Sequence, residues 1–171
     1  ADFMIQKTTG SHSGWVTFSA ARSQMLVDDL GYEVPVSGIN AYESKLVYMY
    51  KLPRWNAAVT FVYGSGKPFT PVLGTFSFEH ANGNTQAYPA IGQINSARLP
   101  EYPKLDLSLT YSFQLAMNNA SLSLAVFNVY NRNNIKQRQY FTILGSNDDQ
   151  IGIRDVSMIG FLPTLQFRIT Y

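Results

Sequence analysis

Alternation with a period of two runs through this chain with few breaks, and it restricts what the chain can fold into. From Lys104 to Leu115, one phase holds Leu105, Leu107, Leu109, Tyr111, Phe113 and Leu115. The other holds Lys104, Asp106, Ser108, Thr110, Ser112 and Gln114. Successive strand side chains point to opposite faces, so this segment predicts a strand with one apolar and one polar face. It is longer than the ~5–6 residues usual in globular strands and long enough to cross a bilayer with tilt.

The same pattern predicts six more strands. Trp55, Ala57, Val59, Phe61 and Tyr63 alternate with Asn56, Ala58, Thr60, Val62 and Gly64. Leu46, Tyr48, Tyr50 and Leu52 alternate with Lys45, Val47, Met49 and Lys51. Shorter runs are Val16, Phe18, Ala20 against Thr17, Ser19, Ala21, and Ala120, Leu122, Leu124, Val126 against Ser121, Ser123, Ala125. The chain ends on Leu165, Phe167, Ile169, Tyr171 against Gln166, Arg168, Thr170, and Phe3 and Ile5 mark a weaker first strand.

Composition narrows the class. Charged residues are 14% of the 171, against the ~25% usual in soluble domains, and aromatics are also 14%. No apolar run approaches the ~18 residues of a spanning helix. Two homes fit: an all-β sandwich, or an outer-membrane barrel whose hydrophobicity is diluted by alternation. Aromatics favour the barrel. Trp15, Trp55, Tyr63, Tyr111, Phe113, Tyr130 and Tyr171 lie near the ends of apolar phases, where a membrane interface would hold them. Lys and Arg are scattered, without the basic run of a nucleic-acid surface. The lack of Cys is uninformative.

Connections alternate in length. Short turns are expected near residues 9–14, 53–54 and 116–119, and long structureless loops near 26–43, 65–103 and 145–154. Periplasmic turns and extracellular loops alternate in this way in outer-membrane barrels. Seven strands that begin on the outer side do not make an even-stranded barrel, and two free edges in lipid would each be costly. The missing strands, and the true start of the barrel, are therefore expected N-terminal to Ala1, with Tyr171 as its end.

Specific residues carry a family resemblance. Gly64-Ser65-Gly66-Lys67-Pro68-Phe69-Thr70-Pro71 follows a strand directly, then come Asn95, Arg98-Leu99-Pro100, Tyr102 and Lys104-Leu105-Asp106-Leu107. Phe127-Asn128-Val129-Tyr130-Asn131-Arg132 and the ending Gln166 to Tyr171 complete the set. Their order and spacing resemble the C-terminal barrel region of TonB-dependent outer-membrane receptors. The resemblance implies a 22-stranded, plugged barrel of which residues 1–171 are the C-terminal segment of a single barrel domain. It implies uptake of a scarce ligand (siderophore, glycan or peptide) across the bacterial outer membrane. Partners would be outer-membrane lipid, the N-terminal barrel and plug, the barrel-assembly machinery, and TonB acting through the plug, which has no counterpart here.

Candidate sites follow from the faces. Lys104, Asp106, Gln166 and Arg168 are expected to line the lumen, solvating the wall or touching the plug. Phe167, Ile169 and Tyr171 resemble the terminal signal read by the assembly machinery. His80, Phe76, Phe78, Tyr88 and Tyr102 in the longest loop are candidates for ligand contact, against the simpler reading that they pack the loop on itself. Asp28, Asp29 and Glu33, and the cluster Asn147-Asp148-Asp149, lack calcium-loop spacing and read as hydrated loop. His12 and His80 lie too far apart in this topology to pair on a metal. Gly160 and Pro163 suit a bulge or a change of tilt, and Asn128 breaks the apolar phase, as a bulge or an exit from the membrane would.

No nucleophile–base pair, zinc spacing, phosphate loop or dinucleotide fingerprint is present, so neither an enzyme nor a cofactor is expected. Two other readings stay open. One is a small self-contained barrel of structural or adhesive role, needing an eighth strand within residues 65–103. The other is a soluble β-sandwich that binds carbohydrate.

Overall fold

A computed structural model of the chain describes residues 1–28, 31–81, 83, 85–143 and 150–170. Its strands, in chain order, begin with β1 (Asp2–Lys7), β2 (His12–Ala20), β3 (Gln24–Val27), β4 (Tyr32–Pro35) and β5 (Tyr42–Lys51). Next come β6 (Trp55–Gly64), β7 (Pro68–Phe69), β8 (Val72–Glu79), β9 (Thr85–Ile91) and β10 (Ala97–Arg98). The last are β11 (Lys104–Leu115), β12 (Asn118–Phe127), β13 (Ile135–Ile143), β14 (Gln150–Ser157) and β15 (Leu162–Thr170).

The seven alternating segments form one antiparallel sheet in the order β1-β2-β5-β6-β11-β12-β15. Among the described residues the sheet does not close: β1 and β15 each pair on one side only. Six antiparallel steps separate them, so the two edge strands run in the same direction.

Register carries the alternation across the whole sheet. One row joins Ile5, Val16, Leu46, Phe61 and Leu105. A second joins Tyr48, Val59, Leu107 and Val126, and a third Tyr50, Ala57, Leu109, Leu124 and Leu165. Towards the short-turn end comes a row of Trp55, Tyr111, Leu122 and Phe167. A one-residue slip anywhere would turn a strand's apolar side chains to the wrong face, and no slip occurs in these six pairings.

The apolar face is banded. At the short-turn end Trp55 lies 4.5 Å from Tyr111, which stacks on Phe113 at 5.6 Å, and Phe113 reaches Phe167 at 6.4 Å. At the loop end Tyr42 stacks on Tyr63 at 6.2 Å. Between these lie aliphatic residues. Trp15 does not join the band: it sits in the polar phase, two residues before Thr17, with the Lys45 ammonium 5.3 Å from its ring. Its position near the end of an apolar run was misleading because the phase, rather than proximity, sets the face. Tyr130 lies beyond β12 in a loop, and Tyr171 lies outside the described residues.

Among the described residues, nothing covers this face. Leu165 is 71% exposed and Leu109 42%, while Val34, Ala87, Leu99 and Ala120 are the hydrophobic residues that count as buried. The accessible surface is 11923 Å² for a 19.2 kDa chain, where a compact monomer of that mass would expose about 8,400 Å². The main sheet is a single layer.

The long connections are not structureless. The first holds hairpin β3–β4, the second holds hairpin β8–β9 and the short pair β7–β10, and the third holds hairpin β13–β14. The third spans residues 128–161, far more than 145–154. These hairpins bury few side chains, Val34 and Ala87 among them, and need no continuous apolar phase, so their alternation is weak in sequence. The expected bulge at Gly160 and Pro163 is also absent, since Pro163 pairs in register with Val126. Pro lacks an N–H, which β15 tolerates because it pairs on one side only.

Candidate ligand-contact site and the joints that hold it

Of the residues that carried the family resemblance, those between Gly64 and Arg132 gather at the loop end of the sheet, while Gln166 to Thr170 lie along β15 toward the short-turn end. Gly64 closes β6 beneath the Tyr102 ring, and a Cβ at Gly64 would lie 2.1 Å from that ring. The close approach places the Tyr102 hydroxyl to donate to Glu43 Oε2 and to accept from Asn40 Nδ2 at 3.1 Å. Burial, and then the Glu43 carboxylate beside it, push the Tyr102 hydroxyl up to about 12. Ser65 Oγ accepts from the backbone N–H groups of Ala41 and Tyr42 at 2.9 and 3.2 Å. Arg98 donates to the Gly66 carbonyl, and Asn95 Nδ2 donates to the Pro35 carbonyl at 2.6 Å.

Asn128 is the centre of a second joint. It is 1% exposed, has φ +50°, and stands immediately past the end of β12. Asn tolerates this left-handed geometry better than most residues. Its amide nitrogen donates to the carbonyls of Arg132 and Ile159 at 2.9 and 3.1 Å. Its backbone N–H donates to Asp106 Oδ1 at 2.8 Å. The break in the apolar phase is therefore the exit of the strand, with no bulge. Asn134, also buried, donates to the Pro103 carbonyl, and Asn131 Oδ1 accepts from the N–H of Phe161. Buried loop backbone must find partners, and these Asn side chains supply them.

The polar face carries the four residues expected to line a lumen. Lys104 Nζ lies 2.7 Å from Asp106 Oδ2 and 5.6 Å from the Phe127 ring centre. Asp106 therefore has its two oxygens divided between a neighbouring cation and the Asn128 joint. Gln166 continues the row of Lys51, Asn56, Thr110 and Ser123, in which the Thr110 and Ser123 hydroxyls bond at 2.9 Å. Arg168 pairs across from Ser121 at the short-turn end, in a polar depression shared with Arg54, Ser112, Gln114 and Asn119. Phe167 and Ile169 lie on the apolar face, and their companion Tyr171 lies outside the described residues.

Four of the five loop candidates come together. Phe76 and Tyr88 are cross-strand partners in hairpin β8–β9, with rings stacked at 5.9 Å. Phe78 meets Phe76 edge-on at 5.5 Å and Tyr88 at 5.9 Å. His80 Nε2 and the Tyr88 hydroxyl both reach Gln86 Oε1, at 3.1 and 3.2 Å. One face of the hairpin is thus an aromatic platform with a polar edge, and it is open: Phe78 is 60% exposed. Tyr102 is elsewhere, engaged in the Gly64 joint. The rings pack on one another and still leave their outer surfaces free, so the packing and ligand-contact readings are compatible.

Sequence reading missed the neighbouring hairpin. Arg138 forms a two-pronged ion pair with Asp155 across β13–β14, at 2.7 and 2.8 Å, and lies 5.4 Å from the Phe69 ring. The Arg138 guanidinium holds the Asp155 carboxyl below its ordinary value, and Asp155 raises Arg138 in turn. Tyr140 accepts the N–H of Val72 at 3.2 Å, tying this hairpin to the loop that carries the platform. The opposite charges near the middle of two loosely alternating segments were the available clue.

Among the described residues no group of three His, Asp or Glu side chains could hold a metal ion. Asp28 and Glu33 are loop-hairpin residues, while Asp29 and the cluster at residues 147–149 lie outside the described residues. The chain matches no family model, no curated protein and no solved structure.

Proposed function

We propose that this chain is a piece of wall from a transmembrane β-barrel of a bacterial outer membrane, and specifically the C-terminal barrel portion of a TonB-dependent receptor. In this reading it takes part in uptake of a scarce ligand such as a siderophore, glycan or peptide. The observation that carries the reading is the uncovered apolar face, aliphatic in its middle and aromatic at both ends. In water such a face would be an association surface far larger than monomers tolerate. In a bilayer it is the expected outward surface of a barrel wall.

Strand direction supports a larger barrel. The two edges run the same way, so this sheet closes in antiparallel fashion only if an odd number of further strands is inserted between them. Those strands, together with the plug, belong in this reading to polypeptide outside these 171 residues. The self-contained alternative loses support, because the strands within residues 65–103 pair with each other or with loop neighbours. The sandwich alternative needs a second sheet over the apolar face, and the described residues contain none.

Under this proposal the polar face lines the lumen and the aromatic platform on β8–β9 contributes ligand contacts on the extracellular side. The test is fractionation of the native full-length protein. It should sediment with outer membranes, resist extraction by carbonate and urea, and need detergent to stay monodisperse. A native protein that remains folded and monomeric in plain buffer would overturn the reading.

A further inference from the structure

The apolar face has one gap. In the row joining Lys7, Gly14 and Tyr48, the middle position has no side chain. Gly14 has φ +154°, and a Cβ there would lie 2.2 Å from the Val47 carbonyl oxygen, so β2 approaches β5 too closely for any other residue. The next row holds Ile5, Val16 and Leu46. Together these leave a groove of about 240 Å³ across β1, β2 and β5, walled by Ile5, Val16, Leu46 and Tyr48 and nearly all apolar.

The mouth of the groove is different. Lys7 and His12 stand there, at the short-turn end. Lys7 is the one Lys, Arg, Asp or Glu among the apolar-phase positions of the seven sheet strands, and among the described residues it has no carboxylate partner. His12 Nδ1 and the Tyr48 hydroxyl bond at 2.6 Å, and the His12 ring stacks on Tyr50 at 4.5 Å. The tautomer that takes the Tyr48 proton at Nδ1 leaves a donor on Nε2. An apolar slot ending in a cation and an imidazole able to donate has the polarity of one amphiphile: an acyl chain with an anionic head.

We propose that this groove seats one anionic phospholipid of the periplasmic leaflet. Its acyl chain lies over Gly14, and its phosphodiester is held by Lys7 and His12. The proposal rests on the membrane-wall reading, which places this face in lipid and the short turns at the periplasmic rim. A lone Lys on a lipid-facing surface reaches for the headgroup layer, and here the groove gives that contact a particular site.

The experiment is native mass spectrometry of the full-length protein, delipidated in detergent and titrated with dioleoyl phosphatidylglycerol or dioleoyl phosphatidylcholine. One phosphatidylglycerol should be retained in preference to phosphatidylcholine. Lys7→Gln should lower that preference about fivefold, the effect of one basic side chain at an anionic surface. Lys51→Gln, on the opposite face, should leave it unchanged. Val16→Trp, or Ile5→Trp if the first variant folds poorly, should fill the slot and abolish retention of both lipids. Equal retention of the two lipids by the wild type, an unaltered preference in Lys7→Gln, or an equal loss in Lys51→Gln would overturn the proposal. A protein that needs detergent yet shows no preference sinks this inference alone, whereas one that needs no detergent sinks the membrane reading beneath it.

Discussion

The middle of the sheet and its loop end are built by opposite means. Across the middle, β5, β6, β11 and β12 are held by a continuous backbone ladder, and their apolar side chains turn away from the protein. At the loop end the ladder stops, and buried Asn and Ser side chains take over as donors and acceptors for irregular backbone. In the membrane reading proposed above, the first region should tolerate substitution of one apolar residue by another, because its neighbours on the outside are not fixed. The second depends on the identity of single atoms. An unpaired buried group costs about 1–3 kcal/mol, so a joint made of such bonds is specific where an uncovered apolar face is merely hydrophobic.

The contrast can be broken most directly by placing charge on each face of β11. In lipid, Leu109→Arg should destabilise the full-length protein by about 2–4 kcal/mol, the cost of Arg at mid-depth, while Thr110→Arg changes little. Reversible urea unfolding in lipid vesicles measures both. Equal effects would mean that the two faces see the same surroundings. The joints come next. Asn128→Ala strips the partners from the Arg132 and Ile159 carbonyls and puts Ala at φ +50°, so a loss of about 2 kcal/mol is expected. The same titration reads it, and a neutral result would show that water replaces the side chain.

Gly64→Ala tests whether the other joint depends on close approach. The added methyl must displace the Tyr102 ring, at about 1–2 kcal/mol for overpacking. Tyr102 should then lose Glu43 and ionise closer to 10.0 than to about 12, visible by ultraviolet difference titration. An unchanged titration would mean that the ring adjusts without leaving its partner. The smallest effect belongs to the exposed Arg138–Asp155 pair. Asp155 has a lowered folded pKa, so its contribution is full above the ordinary carboxylate value of 3.8 and fades as pH falls through the folded one. Amide exchange in β13–β14 should therefore quicken in acid relative to the main sheet, and Asp155→Asn should abolish that pH dependence. A hairpin equally protected in acid and at neutral pH would remove the pair from its stability.

Legibility in the sequence follows the same division. Alternation from Lys104 to Leu115 identified β11 and its two faces, because a strand with one apolar and one polar face repeats its choice every second residue. Asn128 was visible as a break in that pattern, but its role as donor to Arg132 and Ile159 was not. The platform residues His80, Phe76, Phe78 and Tyr88 were readable as an aromatic cluster in a loop. Tyr102 belonged to the same list by proximity, yet its ring went to Gly64 and its hydroxyl to Glu43. Hairpin β13–β14 escaped notice because a hairpin hydrated on both sides has no reason to alternate strictly.

By itself, then, the sequence determined seven strands, the phase of their faces and the alternation of short with long connections. Those are local consequences of a period of two. Only the tertiary structure decided the register of the strands and that the long loops fold as hairpins. It also decided that residues of the resemblance such as Gly64 and Tyr102, or Asp106 and Asn128, meet in two joints. Each of these rests on register and on contacts between residues far apart in the chain, such as Asn128 with Ile159 and Gly64 with Tyr102, which no local period encodes.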